Sequence, residues 1–259
     1  MKKFVLLPLL ALALALPTAL RAQEFKMKFP STSNRKVVLD LRGSDVTVEG
    51  YNGDELQIHG TGHFEAPPAL AHGLRPIYSG GADNTQLGLA VTTEGGNTLR
   101  VARTARSDGH YTVRVPRQTD VLFNSDPMGG SDDLTIRDLA GHIEARLLSG
   151  DMRLMNVSGP VVANTVSGDI KVQFSATPSQ PSAITSVSGN VDVSLPPSAK
   201  VTLSMRSISG EIYTDFDLNL DGSGLRHVGG QTVEGRANGG GTSFSLKSVS
   251  GDVFLRKAK

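Results

Sequence analysis

The sequence predicts an all-β fold, a parallel β-helix or β-solenoid-like roll of short strands, and three observations predict it. First, Ser-Gly preceded by Leu, Val or Ile recurs at Ser149-Gly150, Ser158-Gly159, Ser167-Gly168, Ser188-Gly189, Ser209-Gly210 and Ser250-Gly251. The steps between the serines are 9, 9, 21, 21 and 41 residues, which fits a period near 18 to 21 throughout. Second, the residues after these glycines fall into columns. The first position holds Asp151, Asp169, Asn190, Glu211 and Asp252; the second holds Met152, Ile170, Val191, Ile212 and Val253. The third holds Arg153, Lys171, Asp192, Tyr213 and Phe254, and the fourth Leu154, Val172, Val193, Thr214 and Leu255. Apolar residues at alternate positions mark a half-buried strand. Third, Gly is abundant at 29 residues, aromatics make up 5% and Trp is absent. That composition suits many short strands and tight turns, because Gly costs about 1 kcal/mol relative to Ala inside a helix.

Each 21-residue unit reads as strand, turn, strand, corner. In one of them these are Val191 to Leu195, the turn Pro196 to Lys200, Val201 to Met205, and the corner Ser207 to Gly210. One unit cannot bury its apolar face alone; stacking units buries a continuous core. Gly at the corner permits positive φ, and the corner Ser hydroxyl can bond a backbone group or the Ser one coil away. Regular strand spacing also suits an antiparallel β-sandwich, but the register of the columns favours the solenoid.

Residues 1–22 read as a secretory signal peptide: Lys2 and Lys3, an apolar run from Phe4 to Leu16, Pro17, then Ala22 at the cleavage position. The run is shorter than the roughly 20 residues a membrane span needs. Residues 23–35 are expected to be a flexible lead-in, and 36–259 one β-strand-repeat domain with an irregular insertion at 62–85 and its clearest repeats at 143–257. Within it, strands are expected at Val37–Leu41, Val46–Gly50, Glu55–His59, Leu87–Thr92, Thr98–Arg103, Tyr111–Val115, Val121–Asn124 and Leu134–Ile136. The chain has no cysteine, which excludes a lipid-anchored export signal, a thiol nucleophile and disulfides. With 26 basic against 25 acidic residues and no basic block, it lacks the footprint of a nucleic-acid binder.

The segments 39–60 (LDLRGSDVTVEGYNGDELQIHG), 147–174 (LLSGDMRLMNVSGPVVANTVSGDIKVQF) and 239–257 (GGGTSFSLKSVSGDVFLRK) resemble the bacterial "putative adhesin" β-strand-repeat family of unknown function. The resemblance covers most of 37–257 and is weakest at 62–85. It implies an exported, envelope-associated β-solenoid and carries over no catalytic residues.

Several clusters are candidate sites. His59 and His63 lie four apart, but on a strand that spacing is about 13 Å, too long for one ion. Asp126, Asp132, Asp133 and Asp138 suggest a calcium-binding turn, a glycosidase pair or an ordinary solvated turn. If the coils stack, Asp169, Asn190 and Glu211 form a row about 4.8 Å apart. Like charges at that distance cost about 1 kcal/mol in water, relieved by corner amides or by a weakly bound Ca²⁺. Asp169, Glu211, Asp132 and Asp133 are the candidate ligands, and no other cofactor is expected. Tyr213 and Phe254 are either an apolar or sugar-stacking patch or lie covered by residues 217–241.

The reading these features support is a non-enzymatic exported protein of a Gram-negative-type envelope, periplasmic or secreted. It is an adhesin-like scaffold facing a protein or glycan partner, with no nucleic acid and no membrane span after signal cleavage. The alternative is a carbohydrate-active β-helix enzyme using acids near 126–138.

Overall fold

Period-two alternation becomes strand throughout the chain. The computed structural model describes residues 23–41, 43–62, 69–74, 81–104, 109–124, 133–227 and 230–259. The expected signal peptide, His63, Asp126 and Asp132 lie outside the described residues. Among the described residues the only helix is one 3-10 turn at Ala69–Ala71.

The strands of the first half are β1 (Gln23–Lys28), β2 (Lys36–Asp40), β3 (Asp45–Tyr51), β4 (Glu55–Gly62), β5 (Leu89–Glu94), β6 (Thr98–Arg103), β7 (Gly109–Pro116), β8 (Asp120–Asn124), β9 (Leu134–Arg137) and β10 (Ile143–Ser149). Those of the second are β11 (Met152–Val157), β12 (Val161–Ser167), β13 (Ile170–Phe174), β14 (Ser182–Ser188), β15 (Val191–Leu195), β16 (Val201–Ser207), β17 (Ile212–Thr214), β18 (Leu218–His227), β19 (Gln231–Ala237), β20 (Thr242–Ser248) and β21 (Val253–Lys257). They form two sheets. Sheet A has the order β1-β4-β7-β3-β9-β11-β13-β15-β21-β17, and sheet B the order β18-β19-β16-β20-β14-β12-β10-β8-β2-β6-β5. From β7 to β17 the chain alternates between sheets, so each coil there supplies one strand to each. This is a β-solenoid-like roll.

Inside the stack all pairing is parallel, and in register apart from a bulge in β11 between Leu154 and Val157. Leu134, Met152, Ile170, Val191, Val253 and Ile212 make one continuous column along sheet A. In sheet B, Ile143, Val161 and their successors face them, and Phe174 meets Phe244 edge-on at 5.4 Å between the sheets. One apolar core runs the length of the stack. Burying each Val, Leu or Ile contributes about 1.5–3 kcal/mol. Antiparallel pairing is confined to the outer strands: β1–β4, β4–β7, β5–β6, β16–β19 and β18–β19. The antiparallel sandwich is therefore excluded for the repeats.

Two expectations need correction. Coils do not stack in chain order: β20–β21 inserts between β14–β15 and β16–β17. The interval of 41 residues reflects this re-entry after the β18–β19 hairpin, not a skipped coil. The first end mirrors it, with β8–β9 re-entering inside β2–β3. The lead-in at 23–35 also begins as a strand. β1 pairs antiparallel with β4 and sets Phe25 and Met27 against the core, so its apolar alternation is satisfied at the sheet edge.

The corner glycines are required chiefly by close stacking. A Cβ at Gly189 would lie 2.0 Å from the Gly168 carbonyl oxygen, and one at Gly251 2.3 Å from that of Gly189. Of the corner glycines only Gly150 and Gly168 have positive φ. At Gly168 both constraints coincide: φ is +138° and a Cβ would approach the Gly150 oxygen to 2.0 Å. Gly168→Ala should therefore lower the unfolding free energy by at least about 2 kcal/mol in urea denaturation. Gly95→Ala, where a Cβ meets nothing within 4 Å, should stay within about 0.5 kcal/mol of wild type.

Candidate functional site

The Ser-Gly-Asp corners sit where sheet B hands the chain to sheet A. There the backbone N–H of the residue after Gly points along the stack and needs an acceptor. The side chain of the equivalent residue one coil away supplies it. Asp133 donates its N–H to Asp45 Oδ1 at 3.3 Å, Asp151 to Asp133 at 3.0 Å, and Asp169 to Asp151 at 2.9 Å. Asn190 donates to Asp169 at 2.7 Å, Asp252 to Asn190 Oδ1 at 2.9 Å, and Glu211 to Asp252 at 2.9 Å. The acidic row is thus a hydrogen-bonded ladder whose spatial order is 45, 133, 151, 169, 190, 252, 211.

This order corrects the expected row. Asp252 stands between Asn190 and Glu211, so Asp169 and Glu211 are three strands, or about 14 Å, apart. No single Ca²⁺ with oxygens at about 2.3–2.6 Å can join them. Repulsion along the row is answered by the amides, by Asn190, and by Arg153, which reaches Asp151 at 2.9 Å and Asp133 at 3.6 Å. His110 lies 3.1 Å from Asp45 at the first end, and Gln231 donates to Glu211 at the other. Asp138, at φ +60°, accepts from the Asn156 side chain where β11 is bulged. Among the described residues no three His, Asp or Glu side chains converge as a metal site. His59 lies 3.5 Å from Glu24, whose carboxyl is held below its usual range first by a hydrogen bond from Lys26.

The corner serines Ser149, Ser158, Ser167, Ser188, Ser209 and Ser250 are half-buried or exposed. The hydroxyls that close the corner belong instead to the residue two positions earlier. Ser186 donates to the Gly168 carbonyl at 3.0 Å, Ser248 to Gly189 at 2.8 Å, and Ser207 to Gly251 at 2.8 Å. All three are buried. The signal was present as Ser-x-Ser-Gly, but its first serine escapes notice because it replaces an apolar residue of the buried column. Ser158-Gly159 marks the opposite corner, from sheet A to sheet B, which explains the half-period steps of nine. There Gly159 packs on the Gly141 carbonyl.

The outer face of sheet A is laced with ion pairs. Glu49 bridges Arg137 and Arg114, and Arg256 bonds Asp192 at 2.8 Å. Phe254 and Tyr213 stack at 5.2 Å with planes 11° apart, and the Arg256 guanidinium lies 4.8 Å from the Phe254 centroid. Tyr213 is 50% exposed, so the insertion at 217–241 does not cover it.

Residues 129–256 match the Toastrack DUF4097 family. That Toastrack segment runs from just before β9 nearly to the end of β21 and contains most of the corner ladder. The chain also resembles two solved structures. One is a "putative cell adhesion protein" from Clostridium sporogenes ATCC 15579, at 11% identity and TM-score 0.42, covering 91% of this chain and 99% of that one. The other is a "putative adhesin" from Bacteroides fragilis NCTC 9343, at 11% identity and TM-score 0.37, covering 91% and 97%. No curated protein matches the sequence.

Because an amide carbonyl can replace a carboxylate as acceptor, as Asn190 does, Asp169→Asn should unfold within about 0.5 kcal/mol of wild type. Asp169→Ala should lose about 1–2 kcal/mol, read by chemical denaturation. Millimolar Ca²⁺ should leave the thermal midpoint of the wild type unchanged in calorimetry, since the corner ladder engages each of its acids with a backbone amide or, at Glu211, with Gln231.

Proposed function

We propose that this chain is a non-enzymatic exported envelope protein, an adhesin-like β-solenoid scaffold whose residues 36–259 act as one unit that presents flat sheet faces to a protein or glycan partner. The observation that carries this reading is the use of the acids. Asp133, Asp151, Asp169 and Asp252 each accept a backbone N–H from the neighbouring coil, and Asp138 is tied to Asn156. Carboxylates so engaged build the stack; a hydrolase needs a pair facing each other across a substrate. Rigid parallel stacking leaves two broad faces whose side chains repeat every coil, a form suited to binding an extended partner. The signal-like segment 1–22 supports export, and among the described residues no helix is long and apolar enough to cross a membrane.

Cell fractionation with chemical crosslinking tests the reading. The processed chain is expected in the envelope or medium, crosslinked to a discrete partner, and Asp133→Asn should leave that crosslink intact. Recovery only in the cytoplasm, or cleavage of a polysaccharide that Asp133→Asn abolishes, would reject it.

A further inference from the structure

The residue just before each Ser at the corners from sheet B to sheet A is apolar, yet it faces outward. Leu148, Val166, Val187, Val249 and Ile208 are 37–47% exposed. They belong to five successive coils in register, so they form one ridge. At a strand spacing of about 4.8 Å the ridge is about 19 Å long. Isolated surface valines need no explanation; a continuous exposed apolar row does.

Beside the ridge, two residues back along the strands, lies the row Arg146, Asn164, Thr185, Lys247, Arg206. Arg146 is paired with Glu144 at 2.5 Å. Arg206 and Lys247 are direct cross-strand partners, and neither has a hydrogen-bond or ion-pair partner among the described residues. Like charges facing each other across strands are unfavourable. The outward positions of β14, β20 and β16 are otherwise Ala183, Thr185, Ser243, Ser245, Thr202 and Ser204; the nearest acid is Glu234 on β19, opposite Ser204 and forming no ion pair with Arg206. Other arginines of this sheet are answered, Arg100 by Asp40 and Glu94 and Arg146 by Glu144, and the like-charged pair of sheet A, Arg153 and Lys171, has Asp151, Asp133 and Asp192 beside it.

We propose that this face of sheet B docks peripherally on an anionic phospholipid bilayer. The ridge enters the boundary between headgroups and acyl chains, and Arg206 and Lys247 meet phosphate oxygens, which removes their mutual repulsion. The shape favours this occupant over an acidic protein. A partner helix needs a groove to lie in; the cleft on this sheet lies four or more residues back from the ridge, lined by Ala183, Ser204, Glu234 and Ser245, whereas the single-file ridge itself fits a deformable surface. The acids of the corner ladder lie beyond the turn, on the sheet A side. This inference is independent of the partner in the preceding subsection, because it concerns only sheet B and lipid.

The test is flotation of the purified chain with vesicles of phosphatidylcholine alone or with one quarter phosphatidylglycerol. Binding is expected only to the anionic vesicles, and should fall in 0.5 M salt. The double variant Arg206→Glu, Lys247→Glu should bind at least about tenfold more weakly, at a cost of about fivefold per cation lost. Val187→Ser, Val249→Ser, Ile208→Ser should also lose binding with an unchanged circular dichroism spectrum. Lys171→Glu on sheet A should bind as wild type. Three results would overturn the proposal: no binding to anionic vesicles at low salt, equal loss in Lys171→Glu, or complete competition by soluble polyglutamate, which would indicate an acidic protein partner.

Discussion

A backbone amide left over at each corner constrains this molecule more than any other group. Between Gly and the next strand the chain has one N–H that belongs to no sheet ladder, and it points at the coil above. Burying or crowding such a donor without an acceptor costs about 1–3 kcal/mol. An Asp or Asn at the following position answers it from the neighbouring coil, and in doing so locks that coil in register. The same step brings the backbones so close that only Gly fits before it, with the carbonyl of one coil where the next would have its Cβ. Acid, glycine and buried serine are therefore parts of one device.

That device has an electrostatic consequence. Stacking identical coils stacks identical charges, and each row must find its own relief. The corner acids find it in amides, with help from Arg153. On the outer face of sheet A, Glu49 stands between Arg114 and Arg137, Asp192 follows the cations Arg153 and Lys171, and Phe254 sits between Tyr213 and the guanidinium that Asp192 holds. On sheet B, Lys247 and Arg206 share a row without an acid. Sheet B pairs Arg100 with Asp40 and Glu94 and Arg146 with Glu144, so the unanswered cations are confined to the β20–β16 end beside the apolar ridge.

The ends of a solenoid expose core and unpaired strand edges. Here the chain closes its first end with antiparallel strands on both sheets, β4 and β1 on one and β5 on the other. At the far end only sheet B is closed, by the β18–β19 hairpin; sheet A stops at the three-residue β17. A short edge strand is itself a defence against edge-to-edge pairing. Both re-entrant coils serve the same purpose, since they place the regular, register-locked repeats in the middle and the irregular strands outside.

Most strand positions, the buried columns and the solenoid-like roll were legible in the residues alone, whereas β1 and the β18–β19 hairpin were not. Alternation is local, and a side chain two positions away shares its face whatever the tertiary context. The corner glycines were legible for the same reason, although their cause was not: positive φ occurs at Gly150 and Gly168, but the approach of a neighbouring carbonyl acts at every corner of the Ser-Gly-Asp type past the first of them. Coil order was decided only in three dimensions. Units that share one pattern of Val, Ser, Gly and Asp present nearly equal edges to one another, so nothing local distinguishes Asp252 from Glu211 as the neighbour of Asn190. The hairpin that turns the chain back settles it, and with it which acids, cations and apolar residues stand side by side on the surface.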